Sequence, residues 1–231
     1  MLLASKASGG AVNLAPLASW TAGTDPCGGA WAGVACSGGA APAVARLDLH
    51  DGGSRKFEGV AGDVAALAPL VRLTFLDLER TQVAGDVKGL AALVGLTHLG
   101  LTATNVVGDV GALAPLVQLT HLDLRITMLA GDVGALAPLV QLTHLGLEYT
   151  KVDGNVTALA PLVQLTYLSL GYTKVVGQAA ALAPLTRLTL LRLENTMVAG
   201  CRAFCVAGGP FHTHCAPHPD PTFGCNACLC P

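Results

Sequence analysis

Three histidines, His98, His121 and His144, recur with a constant 23-residue period, and each lies in the same short motif, "LTHL". Imidazole nitrogens bind transition metals, and the imidazole ring gains a proton near pH 6.5. If folding places the three rings side by side, they can form a metal site, a pH-sensitive surface or a stacked polar column. We favour the stacked column, and we predict neither a resident metal nor a cofactor.

The cysteines form a second group of reactive side chains, and six of the eight lie in the C-terminal segment 201–231. These six are Cys201, Cys205, Cys215, Cys225, Cys228 and Cys230. Together with His212, His214 and His218 they offer thiolate and imidazole ligands for zinc, with "CNAC" at 225–228 as a ligand pair. We favour the alternative that they pair as disulfides, in one of 15 connectivities, and stabilise a segment that has little apolar core.

Other functions find little support in the sequence. His121 and Asp123 are two residues apart, but no nucleophile stands at a recognisable spacing from them, and there is no phosphate-binding loop. We therefore predict that the chain is not an enzyme. A net charge of −2 without a basic cluster argues against a nucleic-acid partner. Every apolar run is interrupted well before the ~18 residues that a spanning helix needs, so we predict no membrane span.

An internal repeat must position these side chains. The residues "GDVGALAPLVQLTHL" occur at 108–122 and again at 131–145. A glycine recurs with the same period as the histidines at Gly62, Gly85, Gly108, Gly131, Gly154, Gly177 and Gly200, and a threonine does so at Thr81, Thr104, Thr127, Thr150, Thr173 and Thr196. Between them runs L-x-x-L-x-L, as in "LTHLDLRIT" at 119–127, which is typical of leucine-rich repeats. One unit cannot cover its own apolar side, so units must stack.

The repeat predicts an α/β repeat solenoid, a leucine-rich-repeat horseshoe with about seven parallel strands on its concave face. We expect strands near 74–78, 97–101, 120–124, 143–147, 166–170 and 189–193, an earlier one at 44–49, and an insertion at 54–59. The repeated glycine suits a positive φ, and the following Asp63, Asp86, Asp109 or Asp132 suits the N-cap of a short 3₁₀ or helical turn on the convex side. The division is an N-terminal cap at 1–43, repeats at 44–200 and a cysteine-rich C-terminal cap at 201–231.

A resemblance to a known family lies in residues 17–36, "LASWTAGTDPCGGAWAGVAC". This stretch resembles the N-terminal cap of plant-type extracellular leucine-rich-repeat proteins, such as polygalacturonase inhibitors and receptor-kinase ectodomains. The resemblance implies a disulfide between Cys27 and Cys36, disulfide-bearing caps at both ends, and an extracellular or other oxidising location. It also implies a signal peptide, so Met1 is not expected to be the true start. The plant unit is one residue longer than the unit of this chain and carries asparagines in place of the threonines, which favours an alga or other protist.

The outward positions of the strands are where binding can be specified, because they have no packing role. The residues that we select are Asp123, Arg125, His121, His144, Glu148, Tyr149, Tyr167 and Tyr172. They predict a non-enzymatic binding module for a protein partner, with a glycan as a second possibility, on the concave face. One alternative is a structural subunit docked through its edge or convex surface. Another is an ice-binding protein, because threonine also forms an outward column. Asn155-Val156-Thr157 is a possible glycosylation acceptor.

Overall fold

The described part of the computed structural model comprises residues 27, 32–39, 42–50 and 60–200, with the backbone of 214–215 and 228–229. Its main feature is an eight-stranded sheet. The strands are β1 (Val34–Cys36), β2 (Val44–Asp48), β4 (Phe75–Asp77), β6 (His98–Gly100), β8 (His121–Asp123), β10 (His144–Gly146), β12 (Tyr167–Ser169) and β14 (Leu190–Arg192), and they lie side by side in this order. The first pair is antiparallel, and the seven strands from β2 onward are parallel, as the repeat predicts.

The register of this sheet turns the sequence period into ladders of identical side chains. Leu99 lies opposite Leu122, which lies opposite Leu145 in the next strand. All three leucines are fully buried, as are the other leucines of the motif in these units, such as Leu119 and Leu124. Each buried leucine contributes roughly 1.5–3 kcal/mol relative to full exposure, so the stacked coils form one continuous core.

A second parallel sheet lies on the return part of each coil, and the sequence analysis did not anticipate it. Its strands are β3 (Ala61–Asp63), β5 (Gln82–Asp86), β7 (Asn105–Asp109), β9 (Met128–Asp132) and β11 (Lys151–Asp153), again in chain order across the sheet. Two further pairs are the parallel β13 (Val176–Gln178) with β15 (Met197–Ala199), and the antiparallel β16 (His214–Cys215) with β17 (Cys228–Leu229). Most coils are therefore hydrogen-bonded to their neighbours at two places.

Short 3₁₀ turns follow these strands, and the structure confirms that they replace full helices. They span Val64–Leu67, Val87–Leu90, Val110–Leu113, Val133–Leu136, Val156–Leu159 and Ala179–Leu182. Asp109 shows how each begins: its Oδ1 accepts a hydrogen bond from the Gly111 amide at 2.7 Å. The Asp109 side chain occupies the place where a Cβ on Gly131 would lie, and Gly131 itself has a φ of +107°. The glycine-aspartate pair is thus needed both for the turn and for stacking onto the next coil.

The recurring threonine at the end of each strand turns inward and satisfies the backbone. Thr127 is buried, and its Oγ1 donates to the carbonyl of Leu124 at 2.7 Å. The same bond recurs from Thr81 to Leu78 and from Thr150 to Leu147, at 2.6 Å in both cases. The hydroxyl thus gives a carbonyl of the turn a short hydrogen bond inside the core.

The N-terminal end of the sheet is closed by β1, and Cys36 at its end forms a disulfide with Cys27. This confirms the pairing that the family resemblance implied. The insertion at 54–59 lies outside the described residues, as do Cys201, Cys205, Cys225 and Cys230. For Cys215 and Cys228 the backbone is described, and the two residues lie opposite each other in β16 and β17. Among the described residues, no helix is long and apolar enough to cross a bilayer.

Candidate functional site

A column of five stacked rings runs across the concave face. It consists of Phe75, His98, His121, His144 and Tyr167, one from each of five successive parallel strands. The centroids of neighbouring rings are 4.0, 4.2, 4.1 and 4.0 Å apart along the column. These centroid distances are shorter than the spacing of about 4.8 Å between neighbouring strands, so each ring contacts the next along the whole column. This is the stacked column that the sequence favoured.

The stacking determines the chemistry of the histidines. Neighbouring histidine rings are parallel to within 16°, so their nitrogen lone pairs lie in nearly parallel planes and do not converge on a shared ion. Burial lowers the pKa of His98 to about 4, and burial together with the neighbouring histidines lowers the pKa of His121 to about 4. These two rings are therefore neutral at physiological pH.

The next column toward the strand ends alternates aspartate with glycine. Asp77 is followed by Gly100, and Asp123 by Gly146, on successive strands. A Cβ on Gly100 would lie 2.9 Å from Asp77 Oδ1, and a Cβ on Gly146 would lie 2.7 Å from Asp123 Oδ1. Each aspartate thus leans over the glycine of the next strand, and a side chain at the glycine would push the carboxylate out of position.

Asp123 is the most completely buried carboxylate of this face, with 2% of its surface exposed. Arg125 Nε donates to its Oδ1 at 2.8 Å and Arg125 Nη2 to its Oδ2 at 2.6 Å, while His144 Nε2 lies 3.6 Å from Oδ2. Burial alone would raise the pKa of Asp123, but the hydrogen bonds from Arg125 and the nearby His144 imidazole hold it well below the usual range. The same bonds raise the pKa of Arg125. The result is a permanently charged and rigid pair.

A second polar cluster lies at the N-terminal end of the concave face. Asp48 Oδ1 is 2.9 Å from His50 Nδ1, and Asp77 Oδ2 is 3.7 Å from the same nitrogen. Burial raises the pKa of Asp77, and burial together with the charge of Asp77 raises the pKa of Glu79. The hydrogen bond with Asp48 raises the pKa of His50. Sequence reasoning missed this cluster, although aligning "VARLDLHD" at 44–51 with the later units would have placed Asp48 beside Asp77.

The tyrosines that the sequence singled out fall into two groups. Tyr167 ends the ring column, stacked on His144. Tyr149 and Tyr172 instead lie in the turns that follow β10 and β12, stacked on each other with centroids 4.2 Å apart. They are 49% and 43% exposed, and their φ angles are +58° and +57°.

Of the three charged residues of the predicted patch, Arg125 and Glu148 occupy equivalent positions in neighbouring coils, and Asp123 lies two residues before Arg125. Arg125 is held by Asp123. Glu148 Oε2 accepts from Ser169 Oγ at 3.2 Å and lies 3.5 Å from Arg192 Nη1. The structure therefore brings Tyr149 and Tyr172 into contact, fixes the charged side chains, and leaves Tyr167 and His121 in the separate ring column.

Two regular columns line the surface where the strands begin. The first is threonine, at Thr74, Thr97, Thr120, Thr143, Thr166 and Thr189. Thr97 Oγ1 donates to the Thr74 carbonyl at 2.9 Å, and the same bond repeats along the column, which fixes each hydroxyl. The second column is valine, at Val71, Val94, Val117, Val140 and Val163, which are 42–59% exposed.

Asn155 occupies the N-cap position that aspartate holds in the earlier coils. Its Oδ1 accepts from the Thr157 amide at 2.9 Å, and both Asn155 and Thr157 are exposed. The glycosylation motif therefore lies on the surface of the return side, away from the concave face.

Comparisons with known proteins agree with this geometry. Residues 1–37 match the family model described as leucine rich repeat N-terminal domain. The leucine-rich-repeat ectodomain of the plant receptor kinase GASSHO1/SCHENGEN3 from Arabidopsis thaliana, in complex with CASPARIAN STRIP INTEGRITY FACTOR 2, is 27% identical with a TM-score of 0.60, over 74% of this chain and 23% of that one. The chain has a leucine-rich-repeat fold.

Two further solved structures are similar in fold. The plant peptide hormone receptor RGFR1 in complex with RGF2 is 22% identical with a TM-score of 0.57, over 61% of this chain and 24% of that one. A plant ice-binding protein is 22% identical with a TM-score of 0.64, over 79% of this chain and 66% of that one. The chain spans about a quarter of the length of the receptor structures. No curated protein matches the sequence.

Proposed function

We propose that this leucine-rich-repeat chain is a non-enzymatic module that binds another protein through its concave face and the adjoining turns. The contact surface consists of Arg125, Glu148, Tyr149, Tyr167 and Tyr172. The observation that carries the proposal is the exposed stack of Tyr149 on Tyr172. Nothing in the core requires these two large side chains, which project from turns whose left-handed backbone conformation recurs in six coils.

The physical argument is one of rigidity. Tyrosine and arginine are enriched among the residues that dominate protein–protein binding energies. A tyrosine that is already stacked, or an arginine already held by a carboxylate, loses little conformational entropy when a partner binds.

The similar structures support the same class of function. The Arabidopsis receptor ectodomain and RGFR1 are each described in complex with a partner. Together with the Cys27–Cys36 disulfide, the plant-type cap favours an extracellular or other oxidising compartment. We infer that the six C-terminal cysteines are paired there as well, which mass spectrometry under non-reducing conditions tests directly: free thiols would contradict it.

The test uses the double variant Tyr149→Ala, Tyr172→Ala as bait in an extract of secreted proteins. We expect it to lose at least about 90% of the captured partner, in line with an affinity loss of about 1.4 kcal/mol or more. Met197→Ala is the matched control, because Met197 is 61% exposed but lies on the return side. Equal capture by both variants would refute the tyrosine surface. Capture of a glycan, or co-elution of the native chain within a large complex, would favour the glycan-binding or structural-subunit alternatives.

Ice binding is a second candidate function, favoured by the parallel threonine and valine columns of the strand-start surface. Both have a regular repeat of one coil, and the threonine hydroxyls are fixed by hydrogen bonds. Small exposed residues in a regular array suit a crystalline surface. The test is a thermal-hysteresis measurement of the parent chain and of Val117→Glu with Val140→Glu. Hysteresis that disappears in the variant would support this candidate, and its absence in the parent would exclude it.

We further propose that Asn155 accepts an N-linked glycan. Asn155→Asp is the sharpest variant, because aspartate caps the same turn in four other coils and the fold is therefore retained. It should abolish the mass decrease that peptide-N-glycosidase causes in the parent, and Thr157→Ala should do the same. A parent chain from its own source that shows no such decrease would contradict the assignment.

A further inference from the structure

We propose that Asp48, His50 and Asp77 form a binding site for a divalent transition-metal cation at the N-terminal end of the concave face. One oxygen of each carboxylate and one imidazole nitrogen lie within 4.8 Å of one another. The nitrogen is 2.9 Å from Asp48 Oδ1 and 3.7 Å from Asp77 Oδ2. A tetrahedral cation with bonds of about 2.0–2.2 Å holds its ligand atoms about 3.3 Å apart. The two observed nitrogen–oxygen distances lie on either side of that value, and the two carboxylate oxygens lie within 4.8 Å of each other.

The neighbouring side chains orient the ligands. Arg46 Nη2 donates to Asp48 Oδ2 at 2.7 Å, and its guanidinium lies 3.3 Å above the centre of the Phe75 ring. The amide of Glu79 donates to Asp77 Oδ1 at 3.1 Å. Each carboxylate therefore has one oxygen fixed from behind and turns the other toward His50. Hydrogen bonds of this kind, from neighbouring groups to the metal-binding side chains, are common in metal sites and fix the orientation of the ligands.

Charge and access also fit a cation. Asp77 is 9% exposed, and its Oδ2 lies 3.7 Å from His50 and 3.9 Å from His98, both beyond hydrogen-bond length. A bound cation would give the Asp77 oxygen that faces His50 a direct partner of opposite charge. The His50 side chain is 46% exposed, which leaves an open path from solvent and room for water in the remaining coordination positions.

The other mixed cluster of this face, formed by His121, Asp123 and His144, lacks these properties. Arg125 occupies both oxygens of Asp123. The two imidazoles are stacked with planes 16° apart, so their in-plane lone pairs do not converge. Oxygen and imidazole ligands suit cations such as Mn²⁺ or Zn²⁺, and carboxylates in particular suit Mn²⁺.

The test is a titration of the ¹⁵N-labelled full chain with Mn²⁺, which broadens nearby amide signals and has little affinity for thiolates. We expect the signals of Leu47, Leu49 and Leu76 to broaden first and to saturate at one equivalent, and those of Leu145 and Leu168 to persist. Zn²⁺ should restore the broadened signals by competition.

Two variants assign the ligands. His50→Ala, at an exposed position where the fold is not at risk, and Asp77→Asn should each raise the Mn²⁺ concentration for half-broadening by about tenfold or more. Asp153→Asn is the matched control, because Asp153 is exposed on β11, outside the cluster, and it should titrate as the parent does. Unchanged titration of His50→Ala and Asp77→Asn, or broadening that begins around Leu145, would overturn the proposal.

Discussion

Arg125 holds both oxygens of Asp123 from a position two residues further along the same coil, with its Nε 2.8 Å from Oδ1 and its Nη2 2.6 Å from Oδ2. Asp123 is nearly inaccessible to water, and Gly146 on the next strand leaves the space that its carboxylate fills. The buried position of the Asp123 carboxylate therefore depends both on the charge of Arg125 and on the absence of a side chain at Gly146.

Removing the arginine should expose this dependence. Arg125→Gln leaves a buried carboxylate without its cation, so we expect the free energy of unfolding at pH 7 to fall by about 2 kcal/mol, less than for a wholly buried pair because Arg125 is 30% exposed. The pKa of Asp123 should rise toward its ordinary value. Urea unfolding and carboxylate NMR measure the two effects. Arg72→Gln, at an exposed position, is the control and should change neither.

The histidine column should make the protein less stable in mild acid. The pKa of His98 and of His121 is about 4 in the folded chain against 6.5 for the ordinary group. The unfolded chain therefore binds more protons between these values, and the free energy of unfolding falls as pH falls through that window. Between pH 7 and pH 5 we expect a loss of about 2 kcal/mol or more by urea unfolding.

The double variant His98→Phe, His121→Phe should flatten this pH dependence, because Phe75 already stacks in the same column and phenylalanine does not titrate. His50 has the opposite sign: its raised pKa adds stability at low pH that is lost as pH rises, so His50→Gln should steepen the acid loss. An unchanged slope in the phenylalanine variant would show that other groups cause it.

The N-caps provide a matched pair of substitutions. Asp109→Ala removes the bond to the Gly111 amide and should cost about 1 kcal/mol. Gln178 occupies the same position in its coil but makes no side-chain cap hydrogen bond. Gln178→Asn should therefore add stability, by about 0.5–1 kcal/mol, whereas Gln178→Ala should be nearly neutral. Thermal unfolding followed by circular dichroism compares the three; a destabilised Gln178→Asn would contradict the cap argument.

Ile126 should be the most strained of the turn residues. It is β-branched, it has a φ of +56°, and its side chain is 56% exposed, so core packing gives little in return. Asn195 takes a similar conformation, with a φ of +52°, at the equivalent place in another coil. Ile126→Asn should raise the free energy of unfolding by about 1 kcal/mol. Ala103→Asn, where the original residue is small, should gain less in the same measurement.

The local features of each coil could be predicted from the sequence because they depend on residues close together in the chain. The leucine spacing placed the parallel strands, and the glycine-aspartate pair predicted the capped 3₁₀ turns. Each was confirmed by the structure. The return strands were missed because such short segments carry no distinctive alternation of their own.

The sequence by itself determined the coil. A short unit cannot shield its own apolar side, so units that carry leucines in the same register must stack on one another. Only the tertiary structure decided how the outward side chains of different coils meet. The ring column, the aspartate that fills the space above the next glycine, and the cluster of Asp48, His50 and Asp77 all depend on close contacts between residues at least one coil apart in the chain. Asp48 and Asp77 are 29 residues apart because an insertion lengthens this coil. The 23-residue period that predicts the other columns therefore does not predict that these two residues are neighbours.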